Sequence, residues 1–238
     1  MEISLRTTVA ELASSIPHAT RVFEKHRIDY CCGGRRPLEE ACARAGADPD
    51  AVVAALSEPA RTTDSVLDWR TAPIETLVRH ILDVHHVYTW EELPRLKALM
   101  LKVARVHGER HPELVLLQPV VVGLVEELEM HLTKEERILF PYILSLVGAA
   151  PNGDACFGSA MGPIRVMDSE HEDAGEALAT IRRLSSDLVP PADACGSYRA
   201  LYTGLAELEQ DLHQHIHLET NVLFPRVIEL EAKRNGAD

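Results

Sequence analysis

LEMHLTKEERILFP (residues 128–141) and LHQHIHLETNVLFP (residues 212–225) are the two stretches that decide how this chain folds. They align at an offset of 84 residues, each with His-x-x-x-Glu and each closing on Leu-Phe-Pro. Upstream of the first lie Leu117, Val121, Leu124 and Leu128, followed by His131, Glu135 and Ile138, in alternating steps of 4 and 3. Leu201, Leu205, Leu208, Leu212, His215, Glu219 and Val222 repeat those steps. Such spacing keeps one stripe of an α-helix facing a core. The aliphatic positions establish the stripe, so His131, Glu135, His215 and Glu219 are expected to point inward.

Two further helices supply partners. Ile164, Met167, His171, Ala174, Leu178 and Ile181 carry a third stripe with His171 on it. In the first helix, Val78 and Leu82 lead by fours to His86, while Leu77 and Ile81 lead equally to His85. Periodicity alone does not choose between them. His86 lies 85 residues before His171, close to the repeat offset, which favours His86. Each helical hairpin then carries a His on its first helix and His-x-x-x-Glu on its second.

A single inward His is commonly a satisfied core residue. Four His and two Glu at related positions need another explanation, because burying an unpaired carboxylate costs several kcal/mol. A metal centre removes that cost. Residues at i and i+4 have Cβ atoms roughly 5–6 Å apart, so a His and a Glu on successive turns reach the same or adjacent ions. Six ligands suit two ions, each with two His and both bridged by the glutamates, about 3.5–4 Å apart. Imidazole plus carboxylate suits iron and also admits zinc or manganese, so ligand type does not settle the metal.

Around these stretches the chain reads as all-helical. Its 238 residues are 46% hydrophobic and 26% charged, enough for a sizeable core without disulfides. The net charge of −13 speaks against nucleic acid or an anionic membrane as a partner. No apolar run is long enough to span a membrane. The first residues lack a signal-peptide core, and five cysteines with two adjacent argue against a disulfide framework. The expected compartment is the cytoplasm.

Residues 1–56 read as a small helical domain. Thr8 with Glu11 forms a capping-box pattern, Pro17 suits the start of a helix ending at His26, and Asp48-Pro49 opens another. Between them Tyr30-Cys31-Cys32-Gly33-Gly34 forces a turn. Residues 57–73 form a linker and 74–238 a four-helix bundle, with helices expected over 74–104, 112–147, 163–187 and 197–233 and a break at 148–162.

The His-x-x-x-Glu stretches, Ser169-Glu170-His171-Glu172-Asp173-Ala174-Gly175 and the Leu-Phe-Pro endings resemble the hemerythrin-like bundles. With the Tyr30–Gly34 turn ahead of them, the chain resembles the repair of iron centres family over nearly its whole length. The resemblance implies a non-haem di-iron centre bridged by oxo or hydroxo and held by His86, His131, Glu135, His171, His215 and Glu219. It implies repair of iron–sulfur clusters damaged by oxidative or nitrosative stress, with damaged or apo iron–sulfur proteins as partners and nitric oxide or oxygen as small ligands. Reduction of nitric oxide or peroxide at the same centre, and sensing of oxygen or iron, are the competing functions, so whether the chain is an enzyme stays open. The oligomeric state stays open too, a homodimer included. Oxygen-carrying hemerythrins have a His where this chain has Gly175, and an Asp one position beyond Glu219. Fewer histidines favour reactive or labile iron over reversible oxygen carriage.

His107, Glu127 and Glu170 are secondary candidates, the two glutamates as liners of an access route or as groups that orient a ligand. Cys31 and Cys32 form a candidate thiol site, since a disulfide between adjacent cysteines is strained and readily reduced. Cys42, Cys156 and Cys195 show no metal spacing.

Overall fold

A computed structural model of the chain describes residues 3–58, 67–148 and 159–235. The central part of the expected linker, most of the expected break at 148–162 and Cys156 lie outside the described residues. Helices α1 (Val9–Ser15), α2 (Ala19–His26), α3 (Leu38–Ala45), α4 (Pro49–Leu56) and α5 (Ile74–His80) come first. They are followed by α6 (Val87–His107), α7 (Glu113–Lys134), α8 (Phe140–Leu146), α9 (Met161–Leu184), α10 (Gly196–Ile216) and α11 (Phe224–Asn235). Among the described residues there is no strand, and no helix is long and apolar enough to cross a membrane.

The chain divides into two packed units, one from the N-terminus to Arg79 together with the residues from His213 onward, the other His80–Leu212. In the first, Thr8 closes its capping box with Glu11, and Asp48 accepts from the Asp50 amide to start α4. Val9, Leu12, Phe23, Leu38 and Leu56 meet in a small apolar core. Arg226 of α11 donates to the carbonyl oxygens of Trp69 and Ala72.

The second unit holds a four-helix bundle of α6, α7, α9 and most of α10, with α7 packed between α6 and α9. Arg182 of α9 donates to the buried Glu209 of α10. On the facing side, a Cβ on Gly204 would lie 2.7 Å from Leu96 Cδ2, so glycine permits the close approach of α10 to α6. Past α9, Ser186, Asp187 and Leu188 all take positive φ, between 52° and 63°, which ends the helix.

Three helices widen into π-helical turns, at Ile81–His86, Glu135–Leu139 and His217–Leu223. Two of these run into prolines at equivalent positions, Pro141 and Pro225. Proline lacks the amide that would bond four residues back, and its ring presses on that carbonyl. A π turn, bonding five residues back, accommodates the lost bond.

The wider turn corrects the sequence stripe at one place. Ile138, expected inside, is 49% exposed, and Leu139 takes the core position at 1%. The extra residue in the turn rotates everything after Glu135. The third stripe has no π turn, and it stays inside from Ile164 to Ile181. Leu139→Ala should therefore cost about 2–5 kcal/mol and Ile138→Ala less than about 0.5 kcal/mol, read by urea unfolding. The reverse order would mean that the helix keeps its α register through this turn.

Candidate metal centre

Within His80–Leu212 the structure gathers His86, His131, Glu135 and His171, all buried. Glu135 Oε2 lies 3.3 Å from His131 Nε2 and 3.4 Å from His86 Nε2. His131 Nε2 and His171 Nε2 face each other at 3.2 Å. One ligand atom each from His131, Glu135 and His171 falls within 4.8 Å of the others, and Glu135 is equally close to His86. The carboxylate is thus common to two imidazole sets.

The far ring nitrogens explain why the near ones face inward. His86 Nδ1 donates to Glu136 Oε1 at 2.9 Å, and Trp90 Nε1 donates to the same oxygen at 2.8 Å. His131 Nδ1 donates to Glu170 Oε2 at 2.9 Å, and Lys134 donates to the other Glu170 oxygen. A carboxylate accepts only, so each Nδ1 carries the proton and each Nε2 presents a lone pair. Hydrogen bonds from His131 and Lys134 hold the Glu170 carboxyl down to about 2 against the cost of its partial burial.

The neighbouring His85 is also buried, because both histidines sit in the wide turn Ile81–His86. Its Nδ1 lies 2.9 Å from Asp211 Oδ1, a different direction from Glu135.

In the unit that includes the residues from His213 onward, His215 and Glu219 are buried, with His215 Nε2 3.0 Å from Glu219 Oε1. His217, two residues after His215, turns to the N-terminal residues, its Nδ1 3.3 Å from the Tyr30 carbonyl. Burial pushes that imidazole down to about 4.

Of the secondary candidates, Glu170 touches His131 directly. Glu127 is exposed on α7. His107 is turned to Cys195, its Nε2 3.1 Å from the Sγ, and lies against Tyr198. Cys31 and Cys32 carry no disulfide, and their sulfurs are 3.9 Å apart. Glu136 is the contact that the sequence pattern does not single out. It lies off the inner stripe, and its counterpart across the repeat is Thr220, so neither spacing nor the repeat points to it.

The donor set, three imidazoles around one sealed carboxylate, fits a divalent cation of the iron, zinc or manganese kind. A cation held there would answer the buried charge of Glu135 and take up the lone pairs that face it.

Comparison with known proteins agrees with this chemistry. Residues 77–227 match the hemerythrin HHE cation binding domain. Residues 5–60 match ScdA_N, a domain of unknown function. The iron–sulfur cluster repair protein YtfE of Citrobacter koseri is 42% identical over 92% of this chain and 96% of its own length. Its namesake from Enterobacter sp. (strain 638) is 43% identical over the same shares, and that of Escherichia coli O1:K1 is 42% identical.

Removing a group that orients a ligand commonly lowers metal affinity about 10–100-fold. Glu136→Gln and Glu170→Gln should each do so in a chelator competition, while Glu127→Gln should leave affinity unchanged. His86→Ala should strip metal where His85→Ala retains it. Equal losses from all three glutamine variants would mean that these contacts do not orient the histidines.

Proposed function

We propose, from the premise that the chain belongs to the repair of iron centres family of iron–sulfur cluster repair proteins, that it restores damaged clusters by delivering iron. The iron is held by His86, His131, Glu135, His171, His215 and Glu219, two ions per chain. One observation carries the reading: Glu135 is fully buried and shared between His86 and the pair His131 and His171. A carboxylate common to two imidazole sets suits two neighbouring cations.

Two lines support including His215 and Glu219 in this proposed ligand set. They repeat His131 and Glu135 at the offset of 84. The cation-binding family model also runs from residue 77 to residue 227 as one domain.

When bound, iron supplies one-electron chemistry and open coordination positions for nitric oxide or oxygen. The protein's own residues govern holding and release. Glu136 and Glu170 keep the Nδ1 protons in place, so the Nε2 lone pairs stay directed at the cation. Protonation of those nitrogens competes with the cation, so acidification favours release. Two histidines per ion hold it less firmly than a fully protein-ligated site, as a donor requires. Cys31 and Cys32, reduced as the cytoplasm keeps them, offer thiols to departing iron.

The test follows iron from the loaded protein to an apo iron–sulfur protein, with nitric oxide turnover measured on the same sample. We expect two irons per chain, and recovery of the acceptor's cluster absorbance. Glu135→Ala should lose both. The double variant Cys31→Ser, Cys32→Ser should keep its iron and deliver it more slowly. A stoichiometric single zinc, or nitric oxide consumption without iron transfer, would overturn the proposal.

A further inference from the structure

The turn Tyr30–Gly34 is seated against the π-helical turn His217–Leu223. Asn221, two residues after Glu219, donates from Nδ2 to the Cys31 carbonyl at 2.9 Å, and the same nitrogen lies 3.4 Å from the Tyr30 carbonyl. A Cβ on Gly34 would fall 2.6 Å from Asn221 Oδ1, so a side chain there would push the Asn221 amide aside. The Tyr30 ring packs edge-on against His217 at 5.6 Å between centroids, and the Tyr30 hydroxyl donates to Glu24 at 3.0 Å. The seat therefore grips both backbone and side chains of the turn.

This seating treats the two thiols differently. Cys31 is 4% exposed, whereas Cys32 is partly open to solvent. Asp29 Oδ1 accepts from the Cys31 amide at 3.1 Å and lies 3.3 Å from its sulfur. The Cys32 thiol, burial and the Asp29 charge together push the Cys31 thiol upward.

We propose that Asn221 is the positioning residue of the vicinal thiols, holding Cys31 inward and presenting Cys32 as the thiol that reacts first. The Asn221 amide and the missing Cβ of Gly34 act as one latch. Its partner chemistry is a soft electrophile or thiophilic cation approaching Cys32 from solvent. The inference deepens the thiol role proposed above and stands independently of metal at the His/Glu cluster.

Residue-resolved mass spectrometry of iodoacetamide labelling in the full-length, metal-loaded protein tests it. In the unaltered protein Cys32 should label at least about tenfold faster than Cys31, the protection expected of a thiol reached only by local opening. Asn221→Ala should raise Cys31 labelling about tenfold, the scale of losing a hydrogen bond to a buried carbonyl. Asn221→Asp keeps the shape without the donor and should behave likewise, which decides the matter if the alanine variant fails to fold. Gly34→Ala should open the turn too, and adding Asn221→Ala to it should produce little further change, as for two halves of one latch. Equal labelling of both thiols in the unaltered protein would overturn the proposal. So would a Cys31 rate unmoved by Asn221→Ala and Asn221→Asp, or additive effects in the double variant. Absence of metal from the unaltered protein would strike the iron reading alone and leave the thiol ratio decisive.

Discussion

A carboxylate sealed from water has to be answered by something able to share its charge, and Glu135 is fully sealed. Its answer is a set of imidazoles, which by themselves are neutral and ambiguous about where they carry a proton. The ambiguity is removed one layer further out, where Glu136 and Glu170 accept from the outer ring nitrogens. Those carboxylates are steadied in turn by Trp90 and Lys134, nearer the surface. Polarity thus passes from the core to the solvent in three steps, each residue fixing the orientation of the one inside it. The aliphatic stripes of α6, α7 and α9 supply the rigid walls against which this sequence of contacts is held.

Much of this was legible in the residues themselves. The alternating 4 and 3 steps put His131 and Glu135 on the inner stripe of α7, and both are buried, because the helix is regular up to Lys134. The same arithmetic failed one step later at Ile138, where the chain leaves the α register. Pro141 was the available signal, since a proline inside a long helical pattern demands some local adjustment. Stripe counting alone could not say whether the adjustment would be a kink or a wider turn. Periodicity did not separate His85 from His86 for a related reason: in the wide turn both are buried. The repeat offset favoured His86, and the partners, Asp211 for His85 and Glu135 for His86, differ as well.

Contacts that depend on the outer face of a helix were not legible. Glu136 follows Glu135 directly and lies off the inner stripe, yet it fixes the proton of His86. Asn221 lies off the inner stripe of Glu219 and Val222, and it grips the Cys31 carbonyl. Local signals in the N-terminal domain fared better, because capping depends on neighbours a few residues away. Thr8 with Glu11, and Asp48 ahead of Pro49, form the bonds their spacing implies.

The two wide turns that run into a proline have a bearing on how this sequence can change over time. Glu135 and Pro141 are six residues apart, as are Glu219 and Pro225. Each residue in a helix turns the chain by about 100°. Losing or gaining one residue between Glu and Pro would swing the whole downstream helix by that angle, carrying Phe140 or Phe224 out of the core. Drift in these two segments is therefore confined to substitution. Their letters can vary while their length cannot, and the wide turn behaves as a fixed spacer between a ligand and a hydrophobic anchor.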